Sequence, residues 1–182
     1  DELRRSLAMS ADRAESHFNL GNLERQSGRA AEAEAAYRKA ATLDPTFVPA
    51  TVNLADLLAA DGRAGEAEHV LREALERQAG SADLEHALGL VLVRRHDLRE
   101  ALPHLAAAAR LRPEETRYAY VHAVALHDSG DAAAAMKILE RTLAARPADA
   151  DVLEALVAYS RERGDEAAAR RFEARLAAPR AR

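Results

Sequence analysis

The sequence predicts an all-α protein built as a stack of antiparallel helical hairpins, and two regularities carry this prediction. A residue suited to a tight turn recurs every 34 residues, at Gly28, Gly62, His96, Gly130 and Gly164. Alanine recurs with the same step, at Ala33, Ala67, Ala101, Ala135 and Ala169. A fixed period of about 20–50 residues is the signature of stacked supersecondary units. The chain is therefore predicted to form one repeat array.

The composition of the 182 residues agrees with this fold class. Apolar residues make up 48% of the chain and aromatic residues only 4%, with no Trp. Ala, Leu, Glu and Arg are all strong helix formers. Bulk in the core must therefore come from Leu and Val, while the many alanines let helices approach closely.

Charge and cysteine content restrict the class of function. The net charge is −4, with acidic and basic residues interspersed, whereas nucleic-acid binding needs a concentrated basic surface. The sequence has neither a bilayer-spanning apolar run nor a signal-like start. It contains no cysteine, which excludes disulfides, thiolate metal sites and covalently attached haem within this chain. We expect no nucleic-acid partner and no membrane insertion, while the compartment stays undecided between a bacterial cytoplasm and a periplasm.

Five repeats follow one another without a gap, at 14–47, 48–81, 82–115, 116–149 and 150–182. The first helix of each repeat places an apolar residue before a small one, except that His122 and Val157 break the pattern. The small residue lets the second helix cross closely. The second helices carry a large residue in register, at Tyr37, Leu71, Leu105 and Leu139. Proline then ends three of these helices, at Pro45, Pro113 and Pro147.

The two ends of the chain differ from the central repeats. Residues 1–13 are interpreted as the remnant second helix of a preceding repeat, because Leu3 and Leu7 lie four apart on one helix face. Since the first residue is Asp1, the chain is predicted to be a fragment of a longer protein. The last repeat is degenerate, with Glu173 in place of the large apolar residue, and is predicted to act as a partial polar cap.

The pattern L-G…G…A…Y…A…P resembles the tetratricopeptide repeat (TPR) family over essentially the full length. The resemblance implies a right-handed superhelical solenoid. The chain departs from the family at the usual first-helix aromatic and at His96, although His tolerates a left-handed turn conformation. More narrowly, the phrases HFNLGN, FVPATVNLADL and RYAYVHAVALHDSG are similar to repeat modules of predicted bacterial multihaem cytochrome-like proteins. No CxxCH motif is present here, so any redox part would lie outside this chain.

The resemblance implies that the first helices line a concave groove that holds a peptide or protein segment. Carried over by repeat position, the groove residues are Phe18, Asn19, Asn22, Arg25, Asn53, Asp56, His86, Leu90, Arg94, Tyr120 and His127. Asn19 and Asn53 lie one repeat apart and are expected to grip a peptide backbone, since a carboxamide both donates and accepts. The alternative is that these asparagines bond within their own or neighbouring helices. Arg94 is expected to pair with Asp128.

Other site chemistries find little support in the sequence. Clamping of a terminal carboxylate is disfavoured, because Phe18, Asp83 and Ala87 stand where family members of that kind need cations. The histidines lack metal-ligand spacing, so no metal or cofactor is expected. The sequence contains no predicted strand followed by a glycine-rich phosphate-binding loop. It also contains no nucleophile placed to face a general base. The chain is predicted not to be an enzyme.

The predicted function is therefore a non-catalytic scaffold that binds a peptide or protein segment in its groove. The alternative is a structural role, in which the open N-terminal edge stacks on a fused domain or on a second copy. Weak self-association through Leu3, Leu7 and Phe18 is expected in that case, because an exposed apolar edge favours a partner.

Overall fold

A computed structural model describes residues 13–177 of the chain. This part consists of ten α-helices and contains no strand. The helices are α1 (Ala14–Gln26), α2 (Ala30–Leu43), α3 (Val48–Ala60), α4 (Ala64–Arg77), α5 (Ala82–Arg94), α6 (Leu98–Leu111), α7 (Thr116–Asp128), α8 (Ala132–Ala145), α9 (Ala150–Glu162) and α10 (Glu166–Leu176). The prediction of an all-α repeat fold is confirmed.

The predicted turn residues all adopt the left-handed backbone conformation. The φ angles of the four turn glycines lie between 75° and 96°, and His96 has a φ of 61°. A residue with positive φ just after a helix lets the following amides close onto its last carbonyls. In the first turn, for example, the Arg29 amide donates to the Glu24 carbonyl at 2.9 Å. His96 therefore substitutes for glycine in its turn, as the sequence predicts.

The described residues form two compact units, which are divided between Asp97 and Leu98. In the first unit, α1 packs on α2 and α3 packs on α4, and each first helix also contacts the next one. Its core contains Tyr37, Leu58, Leu71 and Leu88, all fully buried. A Cβ atom added to Gly21 would lie 2.5 Å from the Tyr37 ring. The small residue of the first repeat therefore makes room for the aromatic ring of α2.

The second unit is built in the same way from α6 to α10. Helix α6 packs on α7, and the hairpins α7–α8 and α9–α10 follow. Its core cluster includes Leu139, Leu156 and Phe172, with Ala123 and Ala135 fully buried where helices approach closely. Alanine in register therefore marks close helix packing here, as the sequence predicts.

The two units begin their helices differently. In the second unit, three aspartates accept a hydrogen bond from the amide three residues later, at Asp131, Asp149 and Asp165. Such side-chain caps satisfy backbone donors that have no partner inside the helix. In the first unit, the residues that precede the five helices make no side-chain cap. Helix starts are therefore better satisfied in the second unit.

The expected N-terminal edge is only partly within the described residues. Leu3 and Leu7 lie outside them, whereas Phe18 packs on Tyr37 and Phe47 with ring-centre distances of 6.0 and 5.3 Å. Leu20 and Leu23 of α1 are 43% and 56% exposed. Self-association through this edge stays a prediction.

No helix between residues 13 and 177 is both long and apolar enough to cross a membrane.

Candidate functional site

The centre of the candidate site in the first unit is the carboxamide of Asn22 on α1. Its Oδ1 atom accepts two hydrogen bonds, from the Tyr37 hydroxyl at 2.8 Å and from Asn53 Nδ2 at 2.9 Å. Tyr37 belongs to α2 and Asn53 to α3, so Asn22 joins three successive helices. Two hydrogen bonds to one oxygen fix which way the amide group points.

The sequence explains why this carboxamide is held in place. Tyr37 is fully buried, and a buried hydroxyl needs a hydrogen-bond partner. Its ring enters between α1 and α2 because Gly21 has no side chain to obstruct it. Asn22 follows Gly21 directly and meets the hydroxyl at the end of the ring. The first-helix surface is therefore anchored to the core through one tyrosine.

The Asn22–Asn53 bond leaves one donor and one acceptor unused. Within the described part of the chain, Asn22 Nδ2 and Asn53 Oδ1 have no other hydrogen-bond partner. Asn19, one helical turn before Asn22, is exposed and has no partner there either. The expected alignment of Asn19 with Asn53 stays a prediction, while Asn53 makes a direct contact with Asn22. This contact is the alternative that the sequence left open, since it joins neighbouring helices.

Charged residues lie next to this pair on the same helices. Arg94 Nη1 lies 3.8 Å from Asp56 Oδ1, and both side chains are about half exposed. The expected pairing of Arg94 with Asp128 stays a prediction. Arg25 is exposed, and no residue from 13 to 177 pairs with its guanidinium. This part of the first unit thus offers a neutral amide pair, a loose ion pair and the unengaged cation of Arg25.

His86 and Leu90 on α5 were expected to give the groove its selectivity. His86 is only 8% exposed, whereas Leu90 is half-buried. Helix α3 packs against α5 in this unit, so the ring is covered by neighbouring residues. The prediction that His86 faces a groove is therefore wrong. Leu90 keeps some accessible apolar surface.

In the second unit, His127 is part of an aromatic and acidic cluster. Its ring stacks on Tyr159 with centres 3.7 Å apart and planes 1° apart. Its Nε2 atom lies 2.7 Å from Glu162 Oε2. Burial, followed by the charges of Asp128 and Glu162, raises the pKa of Tyr159 to about 12. The phenol therefore stays neutral beside the imidazole.

Sequence reasoning missed Tyr159 and Glu162. The same repeat positions that selected Asp128 would have selected Glu162 one repeat later, whereas Tyr159 holds a position that the family pattern leaves out. Tyr120 is half-buried and packs against the core of this unit. Burial raises its pKa, and the nearby acids Asp151, Glu154 and Asp149 add to the shift. Tyr120 therefore offers only part of its ring to a ligand.

The arrangement supports recognition through hydrogen bonds and ion pairs. Between residues 13 and 177, no group of three or more His, Cys, Asp or Glu side chains stands where a metal could be held. The first unit presents a neutral amide pair, and the second presents an imidazole stacked on a phenol.

Comparison with known sequences gives a clear family match. Models of the tetratricopeptide repeat match residues 1–46 and 86–150 in one case and residues 24–91 in another. No curated protein matches the chain significantly. The similarity to multihaem cytochrome-like repeat modules is not among these findings and stays a prediction.

Comparison with solved structures shows the fold. PilF of Pseudomonas aeruginosa has a TM-score of 0.78 at 22% identity, with 90% of this chain and 75% of that chain covered. MamA from Desulfovibrio magneticus RS-1 has a TM-score of 0.75 at 17% identity, with 90% and 92% covered. YrrB, described as a TPR protein with an unusual peptide-binding site, has a TM-score of 0.69 at 21% identity, with 97% and 91% covered.

Proposed function

Since the chain belongs to the tetratricopeptide repeat family, we propose that it is a non-catalytic scaffold that binds an extended peptide or protein segment. The binding surface is formed by the first helices of the first unit, with the Asn22–Asn53 pair at its centre. The observation that carries the proposal is the free donor on Asn22 and the free acceptor on Asn53, held in place by the buried Tyr37. The described peptide-binding site of YrrB lends support from a protein of the same fold.

The unused donor and acceptor suit a peptide bond. An extended chain presents carbonyl and amide groups that are not paired with each other. Asn22 Nδ2 would donate to such a carbonyl, and Asn53 Oδ1 would accept from an amide. Both side chains are already ordered by their mutual hydrogen bond, so less rotamer entropy is lost on binding. The pair would therefore recognise backbone and impose little sequence preference.

The neighbouring residues would add selectivity. Leu90 offers apolar area, and the unengaged Arg25 would favour an acidic residue in the ligand. Neutral hydrogen bonds contribute only about 0.5–1.5 kcal/mol each. A site of this composition is therefore expected to bind weakly unless a long segment is engaged.

The test compares Asn53→Ala with Asn19→Ala. Partners recovered from a lysate of the source organism by the immobilised chain would be titrated against both variants by isothermal calorimetry. Asn53→Ala should weaken binding several-fold, because it removes the acceptor and one of the two hydrogen bonds that orient Asn22. Asn19→Ala is the matched control, since Asn19 takes no part in the network. Equal affinity of both variants and the parent chain would move the binding site away from this pair.

A second candidate function is assembly through α1, and the exposure of Leu20 and Leu23 favours it. Single exposed leucines are common on protein surfaces, but two on one helix face form the start of a patch. Sedimentation velocity over a range of concentrations would detect self-association. The double variant Leu20→Glu and Leu23→Glu should abolish it, and a parent chain that stays monomeric at high concentration would exclude this candidate.

A further inference from the structure

Two surface grooves occupy equivalent places in the two units. The first, which we call the Leu54 groove, has a volume of about 410 Å³ and lies between α2, α3 and α4. The second, the His122 groove, has a volume of about 600 Å³ and lies between α6, α7 and α8. Nine of the ten lining residues of each groove correspond at an offset of 68 residues, which is two repeats, while Arg38 and Thr116 have no counterpart in the other groove. One backbone geometry therefore presents two different sets of side chains.

In the Leu54 groove the cations already have partners. Arg38 lies 2.8 Å from Glu34 and 3.4 Å from Glu66. Arg77 and Glu73 also line this groove, and Arg77 donates to the Glu73 carbonyl at 3.3 Å. An anion would have to compete with the acids that pair with Arg38 and would meet the charge of Glu73. The Leu54 groove is therefore a poor site for an acidic ligand.

In the His122 groove the lining residues carry positive charge only. Arg110 replaces the threonine of the first groove, and Arg141 replaces the glutamate. Both arginines are exposed, and neither has a partner among the residues that the structure describes. The hydroxyl of Thr116, which lines the groove, donates to the Asp149 carboxylate at 3.3 Å, and Asp149 itself does not line the groove. Two guanidinium groups are thus available to a ligand.

The floor of the groove is polar where the matching groove is apolar. His122 on α7 stands at the position of Leu54 and is half-buried. No residue within 13–177 forms a hydrogen bond with its ring. Burial lowers the pKa of His122, so the ring is neutral at pH 7 and keeps one N–H donor. The ring nitrogens of His122 are not among the described buried atoms that lack a partner, so an acceptor from a ligand could reach the N–H.

We propose that the His122 groove binds an acidic side chain of a peptide, whose carboxylate pairs with Arg110 and Arg141 above the His122 ring. Arginine forks match the geometry of a carboxylate. Besides Thr116 and Thr142, the remaining walls are apolar and include Ala119, Ile138 and Ala145, so they suit an aliphatic side chain next to the acid. The volume lies within the range of about 300–1,000 Å³ that is typical of ligand sites. A bare inorganic anion would leave these walls unused.

This site goes beyond the proposed function, because it lies on a different helix face. His122 follows Tyr120 by two residues, and residues two apart on a helix point in nearly opposite directions. A peptide in the His122 groove would therefore leave the first-helix surface of the same unit uncovered.

The experiment uses the full 182-residue chain and a capped peptide in which leucine and glutamate alternate. Titration at pH 7 would be followed in ¹⁵N–¹H NMR spectra, with the amides of Thr116, His122 and Ile138 as reporters. Saturable shifts at these amides are expected with the glutamate peptide and not with the glutamine version. The double variant Arg110→Gln and Arg141→Gln should bind about tenfold or more weakly, as loss of charge-assisted hydrogen bonds requires.

The control is Arg117→Gln, which removes an exposed charge of α7 that does not line the groove. It should bind like the parent chain. Since the three arginines are exposed, we expect all variants to keep the parent's melting temperature. Equal shifts with both peptides, unchanged binding in the double variant, or an equal loss in Arg117→Gln would each overturn the proposal. Tighter binding of a phosphoserine version than of the glutamate version would also overturn it, because phosphate would then be the preferred ligand.

Discussion

The Leu54 groove and the His122 groove share nine of their ten lining positions but differ in chemistry. In the first, a leucine forms the floor, Arg38 is paired with glutamates, and Glu73 also lines the groove. In the second, an imidazole forms the floor and two arginines are unpaired among the described residues. The repeat fixes where a side chain points, and the residue type at that point decides what it can bind. Four experiments test whether the residue type at shared positions accounts for the difference between the grooves.

The first experiment truncates Leu54 and His122, the side chains that form the floors of the two grooves. Leu54 is 3% exposed, so Leu54→Ala should leave a cavity and cost about 2–5 kcal/mol. His122→Ala should cost less, because the ring is half-buried and lacks a hydrogen-bond partner among the described residues. Urea unfolding of both variants measures the two costs. A larger loss at His122 would show that its ring supports the fold in a way that the contacts do not explain.

The second experiment places a larger side chain at a buried alanine that occupies the same repeat position in each unit. Ala67 on α4 and Ala135 on α8 are register mates with 0% exposure. Ala67→Leu and Ala135→Leu should each cost about 1–3 kcal/mol, since the added atoms have no space. Ala31→Leu on an exposed face is the control and should change stability by less than about 0.5 kcal/mol. Circular dichroism would follow thermal unfolding of each variant. If one of the two sites tolerated leucine, helix packing at Ala67 and Ala135 would not be the same.

The third experiment compares how stability depends on pH when histidine or leucine forms the floor of a groove. Burial lowers the pKa of His122 in the folded state, so the unfolded chain binds the proton more readily. Stability is full above the ordinary histidine pKa of about 6.5 and falls as the pH drops through the lowered value. His122→Leu should remove this loss, and Leu54→His should add a similar one to the first unit. The free energy of unfolding would be measured at pH 7 and pH 5 for the parent and both variants. An equal difference in all three would show that the pKa of His122 does not cause the loss of stability.

The fourth experiment concerns the rim of the Leu54 groove. A hydrogen bond from Arg63 is the main cause that lowers the pKa of Glu34, and Arg38 adds to it. Arg63→Gln should move that pKa back towards its ordinary value, which carboxyl NMR titration would record. The effect on stability should be small and should vanish in molar salt, because exposed ion pairs are screened. An unchanged titration of Glu34 would mean that Arg38 alone holds this carboxylate.

Much of the fold could be predicted because it depends on periodic, short-range features. Turn residues every 34 positions set the helix ends, and His96 takes the left-handed conformation that its place in the series requires. Buried alanines in register mark the close helix contacts in both units. To predict these features, it is enough to know the period of the α-helix, and the direction of individual side chains is not required.

The site was predicted less well because it depends on contacts between helices. Equivalent positions suggested Asn19 and Asn53 as a pair, but the hydroxyl of Tyr37 holds Asn22, and Asn22 then meets Asn53. Arg94 lies beside Asp56 because a long side chain can reach several acids. His86 is covered where α3 packs on α5. Side-chain direction and inter-helix offset decide these contacts, and repeat position alone contains neither.

The aspartate caps of the second unit have a consequence for how the two units loosen. Arg29 and Arg63 precede α2 and α4 at the repeat position where Asp131 and Asp165 cap α8 and α10. The first-turn amides of α2 and α4 therefore lack a side-chain acceptor, and their deuterium uptake should be faster than that of α8 and α10. Fraying of second helices should begin in the first unit, which makes its turns the earlier targets of limited proteolysis.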